Sequence, residues 1–340
     1  MVSVILGGQI GSEGKGKVAA YLAKEFEMSV RTGGPNAGHT VNMNGIKNVM
    51  QLVPCAFVNK DCLLALSAGS YISVETLLDE IKRLNLRDES LIIDPMTGII
   101  EGRHIEREAE MYNRRVSTGK GVGQATVDKV LRKSEFKLAK DVPELQKYIK
   151  NVHKVVNDYI DNGKNVLIEG TQGFDLSLHH GSYPYVTSRD TTAGTFLGEV
   201  GVSPRVTKDI ILVLRTYPIR ASNGPIFDEV SWDDVTKLAN SKSKIIEYTS
   251  VTKNVRRVGT FDFELVREAI RINRPTQIAL NFVDYINNTD YKVKEFSKLS
   301  SECKKFIDNL ERLYNVPVTL IGTGENVEDT IDLREEKGVI

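Results

Sequence analysis

Short apolar runs alternate with amphipathic stretches along this chain. The runs that predict β-strands are Val2–Leu6, Cys62–Leu66, Asn165–Ile168, Asp209–Arg215, Gln277–Phe282 and Pro317–Ile321. The stretches with apolar residues at helical spacing are Val74–Leu84, Arg103–Arg115, Val142–Ile160, Phe263–Ile272 and Ser300–Tyr314. Residues 210–214 are apolar without interruption, which is typical of a strand buried on both faces. The alternation predicts an α/β fold with a mostly parallel central sheet and helices on both faces.

The sequence contains no sign of a boundary between domains. It has no Pro/Ser-rich linker, low-complexity tract or internal repeat, and its 340 residues with 41% hydrophobic content suit one large core. We therefore expect residues 1–340 to form a single domain with long functional loops. Ligands of open α/β sheets bind at the carboxyl ends of the strands, so the polar clusters that follow the strands are the candidate site.

Charge, cysteine content and the lack of targeting signals indicate the binding partners and the cellular location that we expect. Lys and Arg total 45, and Asp and Glu also total 45, so no overall field attracts nucleic acid or an anionic membrane, and we expect neither as a partner. The three cysteines form no CxxC pair, which indicates reduced thiols. The N-terminal residues lack a signal-peptide pattern, and no run reaches the ~20 apolar residues of a membrane span. We therefore expect a cytoplasmic protein.

The glycine-rich segment of residues 7–17 is the most informative part of the sequence. It follows the predicted strand Val2–Leu6 and precedes a helix-like stretch at residues 18–24, the order that aims backbone N–H groups at a phosphate. Its spacing is not that of a Walker A motif, because its glycines are too far apart and no Ser or Thr follows the lysine. A generic P-loop NTPase is therefore disfavoured, and we expect an anion site with Lys15 and Lys17 as its cations.

Further polar clusters follow predicted strands or occupy glycine-rich loops. They comprise residues 31–40, 117–123, 169–173, 183–188, 251–259 and 281–284. His39 lies in a Gly/Asn-rich loop shortly after the glycine segment, which favours a catalytic role over a structural one. Gln172 follows a strand and can hydrogen-bond a base or a carbonyl at the sheet edge. The neighbouring Arg256 and Arg257 suit a dicarboxylate ligand, because each guanidinium can bind a carboxylate through two N–H groups.

In this order, these segments resemble the adenylosuccinate synthetase family. The matching motifs are GSEGKGKV, NAGHT, STGKGVG, EGTQG, YPYVTS, RRVG and GTG, and they extend through nearly the whole chain. The resemblance implies one mainly parallel sheet related to that of P-loop NTPases, a homodimer, and Mg²⁺ as cofactor. It also implies a ligase that transfers a phosphoryl group from GTP to O6 of IMP, after which the amine of aspartate displaces the phosphate.

The resemblance also assigns donor-binding and catalytic residues. It implies that the donor nucleotide is bound by Gly11, Glu13, Gly14, Lys15, Gly16, Lys17, Gly38, His39, Thr40, Asn281, Asp284, Gly322, Thr323 and Gly324. Within this set, Asp284 would recognise the base, and the Gly38 carbonyl would bind Mg²⁺ together with Ser12. The implied catalytic residues are Ser12, Lys15, His39 and Gln172, with His39 stabilising charge on the transferring phosphoryl group or on O6.

The resemblance also assigns residues that bind the acceptor nucleotide and aspartate. The resemblance implies that the acceptor is bound by Ser12, Asn36, Ser117, Thr118, Arg132, Gln172, Thr187, Ala221 and Asn254. Arg132 would reach the phosphate of the nucleotide in the partner subunit. L-aspartate would be bound by Val251, Thr252, Arg256 and Arg257.

One departure from the family pattern concerns catalysis. Ser12 stands where the family has an aspartate that takes the N1 proton of IMP and contacts Mg²⁺. A placed base contributes ~10²–10⁴-fold to the rate, so either the chain is an inactive relative or its acceptor differs. Serine is smaller and uncharged, and it leaves room near C2 of the purine, where guanine carries an amine that can donate to the hydroxyl. We favour a different acceptor.

Other departures surround the sugar and the donor base. Asn254 replaces an arginine near the ribose hydroxyls, which suits a deoxyribose. Phe282 replaces a lysine that many members pack on the guanine of GTP, and Glu325 replaces a proline, so ATP or dATP becomes a candidate donor beside GTP. A serine at position 12 in an otherwise intact synthetase resembles the viral, dGMP-using branch of the family.

These observations predict an ATP-dependent ligase that joins L-aspartate to C6 of dGMP through a 6-phosphoryl intermediate. The product would be 2-amino-2′-deoxy-N6-succinyladenylate for diaminopurine nucleotide synthesis, made in the host cytoplasm if the protein belongs to a bacteriophage. Two alternatives stay open: an ordinary adenylosuccinate synthetase that uses IMP and GTP, and a non-catalytic nucleotide-binding protein of the same fold. The N1 proton acceptor also stays open between Ser12 through a water molecule and Glu13.

Overall fold

Parallel β-strands form the centre of the molecule in the computed structural model, which describes residues 1–111, 117–221, 223–248 and 254–340. Val251 and Thr252, two of the predicted aspartate-binding residues, lie outside these ranges. The strands are β1 Val2–Gly7, β2 Met28–Arg31, β3 His39–Met43, β4 Ile46–Met50, β5 Leu63–Leu66, β6 Tyr71–Ile72, β7 Leu91–Ile93, β8 Gly98–Ile99, β9 Val166–Glu169, β10 Thr207–Arg215, β11 Ile219–Arg220, β12 Glu229–Val230, β13 Arg257–Gly259, β14 Gln277–Asn281, β15 Val318–Gly322 and β16 Thr330–Asp332.

The α-helices connect these strands and cover the sheet. They are α1 Lys15–Leu22, α2 Val74–Arg83, α3 Gly102–Met111, α4 Val122–Val130, α5 Val152–Asp161, α6 Ala193–Val200, α7 Trp232–Leu238, α8 Phe263–Asn273 and α9 Ser301–Tyr314. Within the described residues, no helix is both long enough and apolar enough to cross a membrane.

The main sheet has the strand order β16-β15-β14-β10-β1-β9-β2-β5-β7. Its pairings are parallel except that of β15 with β16. β1 lies near the middle, with β9 and β2 on one side and β10 and β14 on the other, so the connections that leave these strands diverge and open a crevice at the carboxyl edge. The predicted α/β fold with a mostly parallel sheet is confirmed.

Each face of the sheet has its own hydrophobic core. Along β1, Val4 and Leu6 pack into the cluster that contains Phe196 of α6, whereas Ile5 packs into the cluster that contains Val18 of α1. This division follows from the alternation of side chains along a strand. Side chains of β1 thus pack into apolar clusters on both faces of the sheet, which explains why residues 2–6 are apolar apart from Ser3.

The predicted helix Val142–Ile160 is confirmed from Val152 onward and is wrong before it. Residues Pro143–Tyr148 form a 3₁₀ helix, the backbone is extended at Ile149 and Asn151, and α5 starts only at Val152. Tyr148 is buried, and the carboxylate of Asp94 accepts the backbone N–H of Val152 at 3.1 Å. Tertiary contacts therefore break a stretch whose apolar spacing alone is helical.

Smaller sheets place two further parts of the candidate site. β3 and β4 form an antiparallel hairpin that starts at His39. β11, β13 and β12 form a separate three-stranded antiparallel sheet, and β13 begins at Arg257. In sequence, the hairpin follows the carboxyl end of β2, and the three-stranded sheet begins after the carboxyl end of β10. Long functional loops occupy such positions in this class of fold.

We predict that Phe196→Ala lowers the free energy of unfolding by about 3–5 kcal/mol. The Phe196 ring is fully buried, packs closely against Gly170, and has the Arg189 guanidinium 5.3 Å from its centroid. The matched control is Phe227→Ala, because Phe227 is 54% exposed and its loss should change stability by less than about 0.5 kcal/mol. Denaturant unfolding measures both, and equal losses in the two variants would contradict this description of the core.

Candidate active site

The glycine loop between β1 and α1 folds around the carboxylate of Glu13. Oε1 of Glu13 accepts the backbone N–H groups of Gln9 at 3.2 Å and Gly11 at 2.8 Å. Oε2 lies 2.7 Å from Nζ of Lys15, and both side chains are buried. Glu13 thus engages the cation and two of the N–H groups of a loop built to bind an anion.

Gly14 closes this loop and caps α1. Its φ of 96° lies in the left-handed region, and a Cβ there would lie 2.6 Å from Nδ2 of Asn281. Asn281 ends β14 and donates to the carbonyl of Glu13 at 2.8 Å. The position needs glycine for both reasons, and the contact brings Asn281 against the loop, as its predicted donor-binding role requires.

Ser12 lies on the outer turn of the loop. The residue is exposed, its φ is 59°, and its carbonyl accepts from Nη1 of Arg215 at 3.0 Å. Few non-glycine residues adopt this conformation, but Asn and Asp are enriched in it. The backbone at this position would therefore accommodate the family's aspartate as readily as the serine.

His39 is held by Glu169, the last residue of β9. Nδ1 of His39 lies 2.5 Å from Oε1 of Glu169, which also accepts from Nη1 of Arg31 at 3.0 Å. Oε2 of Glu169 accepts the backbone N–H of Cys55 at 2.6 Å. The opposite ring nitrogen, Nε2 of His39, is buried and has no hydrogen-bond partner among the described residues.

Burial and charge set the protonation of this pair. Burial, with Arg31 acting in the same direction, lowers the pKa of His39 to about 4 against the opposing effect of Glu169. Burial alone would raise the pKa of Glu169, but Arg31 and His39 outweigh it and lower that pKa to about 2. At neutral pH the pair is therefore a neutral imidazole beside an ionised carboxylate, with the ring proton on Nδ1.

Three predicted acceptor-binding residues meet at the carboxyl edge. Nε2 of Gln172 lies 3.3 Å from Oδ1 of Asn36, and Nδ2 of Asn36 lies 3.4 Å from Oγ1 of Thr187. Thr171 donates through Oγ1 to Oε1 of Gln172 at 2.6 Å. This row of amides and hydroxyls offers both donors and acceptors to a nucleotide.

The other predicted acceptor-binding residues stand apart from this row. Ser117 accepts the N–H of Gly119 at 3.1 Å, and Thr118 and Arg132 are exposed on either side of α4. Among the residues that the structure describes, no hydrogen bond joins these three to the Gln172 row. Ala221 and Asn254 are exposed on loops next to β11 and β13.

Arg215, which the sequence did not single out, connects the glycine loop to the predicted aspartate loop. It ends β10, is fully buried, and forms an ion pair with Glu247 in addition to its bond to the Ser12 carbonyl. Nη1 of Arg256 lies 3.5 Å from Oε2 of the same Glu247. Arg256 therefore already binds a carboxylate, which is the group that its predicted ligand would offer.

Arg257 has a different environment from Arg256. Its Nε lies 2.8 Å from Oε1 of Glu229, and its Nη1 donates to the Gly224 carbonyl at 2.7 Å. Both side chains of this ion pair are more than a third exposed, so the pair contributes little to stability. The structure thus groups Arg256, and not Arg257, with the Arg215–Glu247 pair.

Lys17 connects α1 to the segment after β15 through hydrogen bonds. Its Nζ donates to the carbonyls of Gly324 at 2.7 Å and Asp329 at 2.6 Å, and burial lowers its pKa to about 8. Thr323 is buried and donates through Oγ1 to the Val293 carbonyl at 3.0 Å. The predicted donor-binding residues 322–324 therefore lie beside Lys17.

Asp284 and Phe282 form a surface suited to a base. Asp284 is 7% exposed, its Oδ1 has no hydrogen-bond partner among the described residues, and burial raises its pKa to about 7. Phe282 adopts a left-handed φ of 63°, with the Arg215 guanidinium 4.0 Å from its ring centroid and the Tyr285 ring 5.3 Å away. An aromatic ring can stack a base, and a carboxyl oxygen without a partner can hydrogen-bond its edge.

Two sets of residues have atoms that could bind a metal ion. Ser12 and Gly38 are exposed and offer neutral oxygens, which fit Mg²⁺ when nucleotide phosphates and water complete its shell. His39, Cys55 and Glu169 have potential ligand atoms within 4.8 Å of one another. Because Glu169 is already paired with Arg31 and with His39, we interpret the second set as an ion-paired cluster.

Sequence reasoning assigned no role to four charged residues that organise the site. These are Arg31, Glu169, Arg215 and Glu247. The first three share a signal that could have identified them: each is a charged residue that directly follows an apolar one and ends its strand at the carboxyl edge. Glu247 has no comparable signal, because it lies in a loop.

Comparisons with known proteins identify the family of this chain. A sequence profile described as adenylosuccinate synthetase matches residues 4–140 and 133–292. The chain is 45% identical over 343 residues to adenylosuccinate synthetase of Methanocaldococcus jannaschii, covering 98% of this chain and 97% of that protein. It is 42% identical over 341 residues to that of Archaeoglobus fulgidus, covering 98% of this chain and 99% of that protein.

Two solved structures resemble this one. Fully ligated adenylosuccinate synthetase from Plasmodium falciparum matches with a TM-score of 0.87 and 22% identity over 97% of this chain and 99% of that chain, which shows the fold. Cyanophage S-2L succinoaminodeoxyadenylate synthetase, bound to dGMP and to dATP as an energy donor, matches with a TM-score of 0.84 and 28% identity over 99% and 97%. Since the profile spans most of the chain and the archaeal relatives match along nearly its whole length, this chain belongs to the adenylosuccinate synthetase family, the ligases that join aspartate to a purine nucleotide.

Proposed function

We propose that this ligase uses dGMP as acceptor and ATP or dATP as donor, and that it forms 2-amino-2′-deoxy-N6-succinyladenylate for diaminopurine nucleotide synthesis. Ser12 carries the proposal. It is an exposed, uncharged residue at the position of the family's aspartate, in a loop that keeps Lys15 and its anion-binding backbone. The hydroxyl can accept from the exocyclic amine of guanine, which hypoxanthine lacks.

A solved relative supports this choice of substrates. The cyanophage enzyme, 28% identical to this chain, holds dGMP and dATP. The archaeal enzymes, at 39–45% identity, are more similar overall. The proposal therefore depends on Ser12 and the residues near it and not on overall identity.

In the proposed reaction, O6 of dGMP attacks the γ-phosphorus of the donor and the nucleoside diphosphate leaves, while N1 gives up its proton to Glu13 or to a water molecule bound by Ser12. Lys15, released from Glu13, and the backbone N–H groups of the glycine loop would stabilise the phosphate charge, and His39 would act through Nε2. The Gly38 carbonyl and the Ser12 hydroxyl would hold Mg²⁺, which neutralises charge on the donor phosphates when it is bound.

The second step joins aspartate to the activated purine. The amine of aspartate attacks C6, and the phosphate on O6 leaves. Arg256 would bind a carboxylate of aspartate in place of its contact with Glu247, with Val251, Thr252 and Arg257 as further proposed contacts. Asn36, Gln172 and Thr187 would orient the acceptor nucleotide so that C6 faces the amine.

We also propose a homodimer in which Arg132 reaches the acceptor phosphate of the partner subunit. Arg132 follows α4, and Val127, Val130 and Leu131 in the same segment are 46%, 68% and 60% exposed. Adjacent exposed apolar side chains on one short segment suit contact with another protein surface. An exposed guanidinium next to such a surface is available to a phosphate across the interface.

One alternative acceptor and donor pair has an observation in its favour. Several archaeal relatives carry the name adenylosuccinate synthetase, which favours IMP as the acceptor. An ionised Asp284 would accept the two N–H groups on the edge of guanine, which favours GTP as the donor.

The second alternative, a non-catalytic protein of the same fold, would bind nucleotides without turnover.

We predict that the purified protein releases phosphate and forms a succinylated product from dGMP, aspartate, Mg²⁺ and ATP. Ser12→Asp should raise kcat/KM for IMP on the order of 10²-fold, because it restores a carboxylate that can take the N1 proton. Ser12→Asn is the matched control, since asparagine has the same shape as aspartate and tolerates the same backbone conformation, but it is not a base. Phosphate release and chromatography of the products measure each rate.

Several outcomes of this assay would overturn the acceptor assignment. It fails if the wild-type protein uses IMP well and dGMP not at all. It also fails if Ser12→Asn favours IMP as strongly as Ser12→Asp, since the effect would then not depend on the carboxylate. Binding of nucleotide with no turnover of any acceptor would instead support the non-catalytic alternative.

Donor choice should depend on pH through Asp284. A protonated carboxyl can donate to N1 of adenine and accept from its N6 amine, whereas an ionised one suits guanine. Lys17 and Arg215 oppose the effect of burial and Glu325 adds to it, and the resulting pKa is about 7. We predict that the ratio of kcat/KM for ATP to that for GTP falls as pH rises, by about tenfold per unit above this pKa.

Asp284→Asn is the control for this pH dependence. Its amide presents an acceptor and a donor at every pH, so the ATP preference should persist and its pH dependence should disappear. Initial rates with each donor from pH 6 to pH 8 measure the ratio. An unchanged slope in Asp284→Asn would assign the titration to another group.

A further inference from the structure

His39 is held from one side of its ring only. Nδ1 contacts Glu169 at 2.5 Å, and Nε2 is buried with no hydrogen-bond partner among the described residues. A buried polar atom without a partner is unfavourable unless a bound molecule supplies one. Because His39 packs against Gly16, its free nitrogen is available to a molecule that binds next to the glycine loop.

Glu169 is fixed more firmly than hydrogen bonding to one histidine requires. It is fully buried and also accepts from the Arg31 guanidinium at 3.0 Å and from the backbone N–H of Cys55 at 2.6 Å. Arg31 is itself held by the Ala37 carbonyl, two residues before His39, at 2.9 Å. The carboxylate thus has little freedom, and it fixes the orientation of the imidazole.

We propose that Glu169 is a positioning residue for the family reaction: it holds His39 through Nδ1–H so that Nε2 alone faces the transferring phosphoryl group. The proposal rests on the proposed function only in assigning His39 to phosphoryl transfer. It does not depend on whether the acceptor is dGMP or IMP.

The electrostatic role of Glu169 follows from its ionised state. Arg31 keeps the carboxylate charged, and a carboxylate on Nδ1–H selects the tautomer and makes Nε2 more basic, as Asp does for His in serine hydrolases. Held in this way, Nε2 is the ring atom left to interact with the transferring phosphoryl group.

The tautomer can be measured in the wild-type enzyme without any substrate. Nitrogen-15 NMR of histidine-labelled protein should show His39 protonated on Nδ1 and free on Nε2 at neutral pH. The signal is assigned by its loss in His39→Asn. A neutral ring with the proton on Nε2 would overturn the proposal, and this result would not depend on the acceptor used.

Kinetics test the consequence for the reaction. Glu169→Gln should lower kcat on the order of 10²-fold, with the KM values for both nucleotides and aspartate changed by less than about threefold. Glu169→Asp, which keeps the charge, should recover part of the loss. Adding Glu169→Gln to His39→Asn should slow the enzyme no further, because Glu169 acts through His39.

Glu80→Gln is the matched control for a purely structural effect. Glu80 is also a buried carboxylate, and it accepts the backbone N–H groups of Gln51, Leu52 and Val53. Its amide variant should lose stability but keep kcat within a few-fold. If Glu169→Gln is as active as Glu80→Gln, or if its effect adds fully to that of His39→Asn, Glu169 is not a positioning residue. Should Glu169→Gln fail to fold, the wild-type tautomer decides.

Discussion

The buried ion pair of Arg31 and Glu169 is the interaction on which the candidate site depends. The two residues are register partners at the ends of the neighbouring strands β2 and β9, so the sheet itself places them side by side. A charge at this depth must be paired, and each residue supplies the other's counter-charge. The remaining hydrogen-bonding capacity of Glu169 then binds His39 and the Cys55 backbone. One pairing between strands thereby anchors the β3–β4 hairpin and the loop after it.

Arg215 anchors loops on the other side of β1, as the Arg31–Glu169 pair does on the first side. It ends β10 in register with Asn281, and it contacts the Ser12 carbonyl, Glu247 and the Phe282 ring. Arg215 thus holds the glycine loop directly through the Ser12 carbonyl, whereas Glu169 acts on it through His39, which packs against Gly16. Because the strands are rigid and apolar, these charges position loops that have little core of their own.

The proposed substrate choice depends on residues at the rim of this framework. Ser12 is exposed, and its backbone is fixed by Arg215 whatever its side chain. The chain belongs to one family with the archaeal synthetases, and it shares its fold with a cyanophage enzyme whose structure holds dGMP. Under the proposed function, a change of the side chain at position 12 alters what the purine edge meets and leaves the buried ion pairs intact, so the acceptor can change without refolding.

The sequence by itself determined the strands with unbroken apolar runs, the parallel sheet, the glycine loop and the family. These depend on local pattern and on motifs read along the chain. Only the tertiary structure decided that Val142–Ile160 is broken after Tyr148, and that Glu169 holds His39. Arg31 and Glu169 are 138 residues apart in sequence, and their contact exists only because β2 and β9 are neighbours in the sheet. Strand order is a property of the whole packed core, so no local pattern specifies which strand ends meet.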